Sequence, residues 1–201
     1  GMVDSGCKYA VIEVSSHGID QKRIAGVKFD ITVLTNIAPE HLDYHKTLEV
    51  YREIKMSFLN SGKVKVVSPK ETSLNILPGK FNNINAATAV EVAEKLGFSK
   101  ADAIHTLQSF ELPQGRLEKI ENNKGIDIYV DFAHTPESLK EALTYLKGTI
   151  SGKLFSVFGC AGERDTSKEA KWERFLRRLP IIPSLPPKIQ DTKVFLIFKE
   201  V

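Results

Sequence analysis

Hydrophobic and polar positions along this chain switch repeatedly between the period of a strand and that of a helix. Residues 9–14 form a short apolar, β-branched run, and residues 29–34 another, interrupted by Asp30 and Thr32; both predict buried strands. The spacing becomes helical over residues 48–59, with Thr47 placed as the N-cap. Leu77-Pro-Gly-Lys80 predicts a turn, and the Ala-rich stretch 83–96 predicts a helix ending at Gly97. Ser99 predicts the cap of a further helix to about residue 110, with Asp102 in its first turn.

Leu112-Pro-Gln-Gly-Arg116 is a cluster of breakers and the expected domain boundary, dividing residues 1–113 from residues 114–171. Beyond it, residues 117–121 and 126–132 predict two strands joined by the turn Asn122-Asn-Lys-Gly125. Thr135-Pro136 opens a helix to about residue 146, proline being suited to the first helical position. Residues 154–158 predict one more apolar strand, running into Gly159-Cys-Ala-Gly-Glu-Arg-Asp165. Such alternation predicts an α/β fold with mostly parallel strands, and no internal repeat is present. From about Trp172 the character changes. Pro180, Pro183, Pro186 and Pro187 crowd together before an apolar ending, and they exclude the interior of a central strand or helix.

With 201 residues, 42% of them apolar, the chain has enough material for one large core or two small ones. Its net charge of +3 is dispersed among acids, which predicts a solvated mixed surface and no nucleic-acid partner. Cys7 and Cys160 lack metal-ligand spacing and are expected to be buried thiols of a reducing compartment. Neither a signal peptide nor a run able to span a bilayer is found, so no membrane insertion and a cytoplasmic location are expected.

Chemistry concentrates where strands end. Glu13 closes the first predicted strand and His41 lies just past the second, so a crevice at strand C-termini would bring carboxylate and imidazole together. That pair suits Mg²⁺ or Mn²⁺. His41-Leu-Asp-Tyr-His45 also offers two imidazoles and the Asp43 carboxylate, the donors of a metal-dependent hydrolase. The plainer alternative, that these are helix caps and surface hydrogen bonders, stands beside both.

Seven motifs in order resemble one family. They are Glu13-Val-Ser-Ser-His-Gly18, Thr35-Asn-Ile-Ala-Pro-Glu-His-Leu-Asp-Tyr-His45, Tyr51-Arg-Glu-Ile-Lys55, Leu77-Pro-Gly-Lys-Phe-Asn-Asn-Ile-Asn85, Gly115-Arg-Leu-Glu118, Val130-Asp-Phe-Ala-His-Thr-Pro136 and the run 159–165. Together they resemble the Mur ligases, within them the ATP-dependent ligases that add the third residue of the peptidoglycan peptide. The resemblance covers residues 1 to about 168. It implies part of a central ATPase domain with a mostly parallel sheet, followed by part of a Rossmann-like C-terminal domain.

Roles carry over by position. Glu13 and His41 are implied to hold a Mg²⁺ beside the ATP γ-phosphate, joined by Lys55, which the family carbamylates with CO₂. A carbamate turns a cation into an oxygen ligand for a hard metal. Ser15, Gln21 and Arg23 are implied to contact the dipeptide of a UDP-MurNAc-L-Ala-D-Glu substrate, with Thr35 and Asn36 shaping the same crevice. Asn85 is implied to meet adenine, Asp131 the ribose, and Arg116 the γ-phosphate during transfer. For Asn82 and Asn85 the alternative is helix capping, and for Asp131 it is capping of the next helix. His134 is expected to fix its own loop as well as touch nucleotide. The second amino-acid substrate implied is meso-diaminopimelate or lysine. Folylpolyglutamate and cyanophycin-type ligases are the alternative within the superfamily; a non-catalytic remnant is the alternative outside enzymes.

Three departures from the family pattern shape the expectation. No Gly-x-x-x-x-Gly-Lys-Ser/Thr phosphate loop occurs in the 201 residues, so the partner implied is the missing N-terminal part of the same enzyme. Only residues 56–76 separate Lys55 from Leu77, where the family carries a much longer segment. The tail 172–201 lacks the family's Asp-x-Pro-Arg and is read as a reading-frame shift near Lys171, because a shifted back-translation of residues 179–193 contains Asp-Pro-Arg. That reading favours meso-diaminopimelate and predicts a tail that packs poorly. The chain is expected to be a fragment, inactive alone.

Overall fold

The computed structural model describes residues 1–123, 125–150, 153–157 and 194–199. It divides into two compact units, Gly1–Ser68 and Pro69–Val201.

The first unit contains α1 (Ser16–Asp20), β1 (Ile31–Leu34), α2 (Leu42–His45), α3 (Leu48–Leu59) and β2 (Val64–Val67). β1 and β2 pair in parallel, Ile31 opposite Val64 and Leu34 opposite Val67, with α2 and α3 forming the crossover. Thr47 caps α3 by accepting the amide of Val50, as its sequence position predicts. The far end of α3 is tied to the sheet through a polar core position. Thr32, 1% exposed, donates its hydroxyl to the Leu59 carbonyl at 2.7 Å. Gly62 passes so close that an added Cβ would lie 2.4 Å from Thr32 Oγ1. Phe29 meets Phe58 edge-on at 5.1 Å, closing the same end of the core.

Residues 9–14 are not a strand, contrary to the pattern. Short β runs are held by ladder bonds to a neighbouring strand, and among the described residues the ladder of this unit joins β1 and β2 without residues 9–14. Val11 is consequently fully exposed and Tyr9 and Ile12 largely so. Cys7, expected to be buried, is exposed: it follows the turn of residues 2–6 and precedes this unpaired run.

The second unit holds α4 (Lys80–Lys95), α5 (Lys100–Gln108), β3 (Glu118–Ile120), β4 (Ile128–Asp131), α6 (Pro136–Thr149), β5 (Lys153–Val157) and β6 (Val194–Lys199). Leu139, Ala142, Leu143 and Leu146 recur at i, i+3, i+4 and i+7 along α6 and form its buried stripe. Leu117 and Ala133 complete that core, with Phe81, Leu112, Tyr129 and Leu154 packed around it. Residues 69–113 thus belong to the same compact unit as the strands and helix C-terminal to them, although the breaker cluster at 112–116 marks a boundary in the sequence. Ser99 caps α5 and Thr135 caps α6 with a capping box, Pro136 at the first position.

Helix α4 starts at Lys80, three residues before its expected start. Gly79, at φ 84°, makes the entry turn, and the Asn83 side chain holds it by accepting from Ile76 and Leu77 amides and donating to Leu77 and Gly79 carbonyls. The hairpin β3–β4 is antiparallel as expected, with Lys119 paired to Asp127 at 2.7 Å. The sheet order is β3-β4-β6-β5, and every hydrogen-bonded pair in it is antiparallel. β4 and β5, joined through α6, still run parallel to each other, because β6 lies between them and opposes both. Of the tail, residues 194–199 supply β6; the motif 159–165, Cys160, Trp172 and the prolines lie outside the described residues.

Candidate functional site

Each unit carries one constellation. In the first, the Glu13-Val-Ser-Ser-His-Gly18 motif becomes the start of α1. Ser15 is its N-cap, accepting the Gly18 amide at 3.1 Å, while Ser16 turns inward and is 2% exposed. Ser16 Oγ meets His45 Nε2 at 2.9 Å, which fastens α1 to α2. Around this bond four rings pack: His17 lies 4.3 Å from Tyr44 and 5.3 Å from His45, and His45 lies 4.7 Å from Tyr44 and 5.4 Å from Tyr51. His41 closes on His17 at 4.8 Å. Burial first, and then the neighbouring His17, hold the His45 pKa below the ordinary 6.5, with His41 acting in the same direction against Asp20 and Asp43.

The residues implied for the substrate dipeptide fall partly together. Tyr44 donates its hydroxyl to Asp20 at 2.7 Å and accepts from Gln21 at 3.4 Å, while Arg23 donates to the Gln21 side-chain oxygen. Gln21, Arg23, Tyr44 and Asp20 thus form one exposed polar chain between α1 and α2. Thr35 and Asn36 stand exposed just past the C-terminal end of β1, where a parallel pair presents its ligand-facing edge. Glu13 is exposed two residues before the Ser15 cap. Lys55 is half-buried on α3, its amine 5.0 Å from the Tyr51 ring centroid.

No group of three or more His, Cys, Asp or Glu able to hold a metal exists among the described residues. The hydrolase arrangement of His41, Asp43 and His45 is therefore absent. The one-turn helix α2 points His45 into the interior, onto Ser16, and leaves Asp43 exposed. The donor chemistry of Glu13 with His41 still suits a hard divalent cation, and Lys55 joins that set only as an oxygen-bearing carbamate.

In the second unit, the Gly115-Arg-Leu-Glu118 loop is pinned from both sides. The Gly115 amide donates to Glu118 Oε2 at 2.7 Å, and the Leu117 amide to Asp131 Oδ2 at 2.9 Å. Asp131 Oδ1 accepts the Ala133 amide at 2.8 Å, so this buried carboxylate knits the loop to the end of β4. Each of its oxygens keeps a second lone pair. Leu117 is held at φ 47°, a left-handed conformation that costs a branched side chain energy and that the Asp131 bond stabilises. Arg116 stands exposed between these anchors, its guanidinium 4.8 Å over the Phe132 ring. His134 Nδ1 lies 3.1 Å from the Phe132 carbonyl and so fixes its own loop. Asn82 bonds the Pro78 carbonyl and Asn83 the turn, whereas Asn85 is exposed on α4.

Sequence alone does not single out Ser16, His17 and Tyr44, although all three lie inside the motifs. The spacing of Tyr51 and Lys55, four residues apart on one helix, is the signal available for that pair.

Two family models match: the Mur ligase middle domain over residues 1–68, and the Mur ligase glutamate ligase domain over residues 115–184. The chain belongs to the Mur ligase family. Among curated Mur ligase relatives, the chain is 31% identical over 233 aligned positions to the UDP-N-acetylmuramoyl-L-alanyl-D-glutamate--2,6-diaminopimelate ligase of Prochlorococcus marinus subsp. pastoris. That match covers 83% of this chain and 46% of the relative. A solved structure of a ligase of the same name superposes with a TM-score of 0.58 at 26% identity, over 94% of this chain and 50% of the other. A mutant of L. casei FPGS shares the fold at 17% identity and a TM-score of 0.52, over 77% of this chain and 51% of the other. The chain spans about half the length of the curated relatives it matches. No described helix is long and apolar enough to cross a membrane.

Proposed function

We propose that this chain is part of an ATP-dependent ligase of cytoplasmic peptidoglycan-precursor synthesis that joins meso-diaminopimelate to UDP-MurNAc-L-Ala-D-Glu. The observation that supports it is that relatives aligned along 83% or more of the chain bear the name of that ligase.

In this reading Arg23 and Gln21 receive the dipeptide. Arg23 pairs bidentately with a substrate carboxylate, a geometry lysine does not copy, after leaving its resting contact with Gln21. Thr35 and Asn36 line the same crevice, and Ser15 presents its hydroxyl at the α1 N-terminus. Glu13, His41 and carbamylated Lys55 would hold Mg²⁺, which would supply neutralisation of phosphate charge. Asn85 faces adenine and Asp131 the ribose, through the lone pairs its backbone bonds leave open. Arg116 leaves the Phe132 face to meet the γ-phosphoryl group as it transfers to the D-glutamyl carboxylate. Attack by the incoming amine on the resulting acyl phosphate then forms the amide and releases phosphate.

The 201 residues themselves contain no phosphate loop, and by themselves they are expected to turn nothing over. Calorimetric titration with ATP and with UDP-MurNAc-L-Ala-D-Glu, alongside a phosphate-release assay, tests this. Weak dipeptide-substrate binding without phosphate release is expected; micromolar ATP binding with phosphate release would contradict the inactive-fragment reading.

A further inference from the structure

Two of the groups assigned above to the cation, His41 and Lys55, are the ends of one unbroken stack. His41 contacts His17 at 4.8 Å, His17 contacts His45 at 5.3 Å, His45 contacts Tyr51 at 5.4 Å, and Lys55 Nζ lies 5.0 Å from the Tyr51 centroid. The stack crosses three helices: His17 on α1, His45 on α2, and Tyr51 with Lys55 on α3. Tyr51 and His45 within it, and Ser16 beside His45, are 3%, 4% and 2% exposed, whereas His17 and Lys55 are half-buried and His41 is exposed.

Helix α2 cannot hold its own position. It is a single turn of four residues, set between His41 at φ 55° and Lys46 at φ 69°, and one turn has no intrinsic stability in water. Its one buried residue is His45, whose amide also donates to the His41 carbonyl at 2.9 Å. Beside the Tyr44–Asp20 bond that also ties α2 to α1, the seating of His45 helps set where His41 stands, and His45 is seated by Ser16 and Tyr51. The Lys55 amine lies over the same Tyr51 ring, one helical turn further on. One buried ring thus touches both the seat of α2, at His45, and the end of the Lys55 side chain.

We propose that Tyr51 and His45, locked by the Ser16 hydroxyl, are positioning residues that fix the separation of His41 from Lys55 and hence the geometry of the cation site. The proposal rests on the reading that His41 and Lys55 serve that cation. Mg²⁺ demands near-ideal octahedral geometry at about 2.0–2.1 Å, so displacement of either arm by a fraction of an ångström weakens binding.

The test uses residues 1–201, Mn²⁺ as the probe followed by water-proton relaxation, and ¹³C-bicarbonate NMR to read carbamate at Lys55. Helical content by circular dichroism checks each variant. Tyr51→Phe keeps the ring and is expected to retain Mn²⁺ affinity and the carbamate signal. Tyr51→Leu and Ser16→Ala are each expected to weaken Mn²⁺ binding by about tenfold, the low end of what supporting groups contribute around metals, with helical content unchanged. If Tyr51→Leu loses helical signal, Ser16→Ala carries the comparison. Wild-type affinity in both Tyr51→Leu and Ser16→Ala, alongside loss in His41→Ala, would overturn the positioning role and leave the cation reading standing. Equal loss in Tyr51→Phe and Tyr51→Leu would overturn the ring stack as its cause. Unchanged binding in His41→Ala, or none in the wild type, would remove the cation reading and this proposal with it.

Discussion

His45 shows how a single side chain links burial to stability in this molecule. Its imidazole is seated on Ser16 among three rings, and burial lowers its pKa below 6.5. The folded form therefore binds a proton less readily than the unfolded chain. The stabilisation is complete above pH 6.5 and is lost as pH falls through the lowered folded pKa. Thermal melting of the first unit is expected to fall in this acidic window, and His45→Gln is expected to flatten that dependence. Asp131 makes the opposite kind of demand: both its oxygens must accept. Asp131→Asn turns one of them into a donor facing a backbone N–H, and is expected to cost about 1–3 kcal/mol in urea denaturation of the second unit.

At the scale of elements, the two cores are built differently and fail differently. Helix α6 relies on a leucine stripe, so Leu139→Ala, at a position with no exposure, is expected to cost about 2–5 kcal/mol by the same denaturation measurement. The α3–β1 junction relies instead on close approach. Gly62→Ala would push a methyl group to 2.4 Å from Thr32 Oγ1 and disturb the Thr32–Leu59 bond, at a cost of about 1–3 kcal/mol read from the melting of the first unit. Elements whose causes are local are legible in sequence. Thr47, Ser99 and Thr135 each sit one residue before a helix whose capping chemistry they announce, and the β3–β4 hairpin arises from its polar turn. Residues 9–14 mislead because a strand depends on a neighbour that periodicity does not reveal. Helix α4 starts earlier than its alanine-rich pattern because Asn83 holds the turn before it through four bonds at a distance of several residues.

For the whole molecule, motif order places the chain in the Mur ligase family, and the two family models cover six of the seven motifs, all but that of residues 77–85. What the order of motifs does not reveal is which residues hold them in place. Ser16, His17 and Tyr44 come together from α1 and α2 across more than twenty residues of sequence, and their spacing within each motif has no period to betray the contact. The resting partners of Arg23 and Arg116, Gln21 and Phe132, are likewise readable only in three dimensions. The proposed ligase function gives the first unit the crevice that receives the dipeptide. Backbone-amide NMR during titration with UDP-MurNAc-L-Ala-D-Glu, with UDP as the control, is the decisive measurement because it detects weak binding residue by residue. Shifts specific to the dipeptide are expected at Ser15, Gln21, Arg23, Thr35 and Asn36, abolished in Arg23→Lys; shifts that UDP alone reproduces, that fall elsewhere, or that survive Arg23→Lys would rule the crevice out.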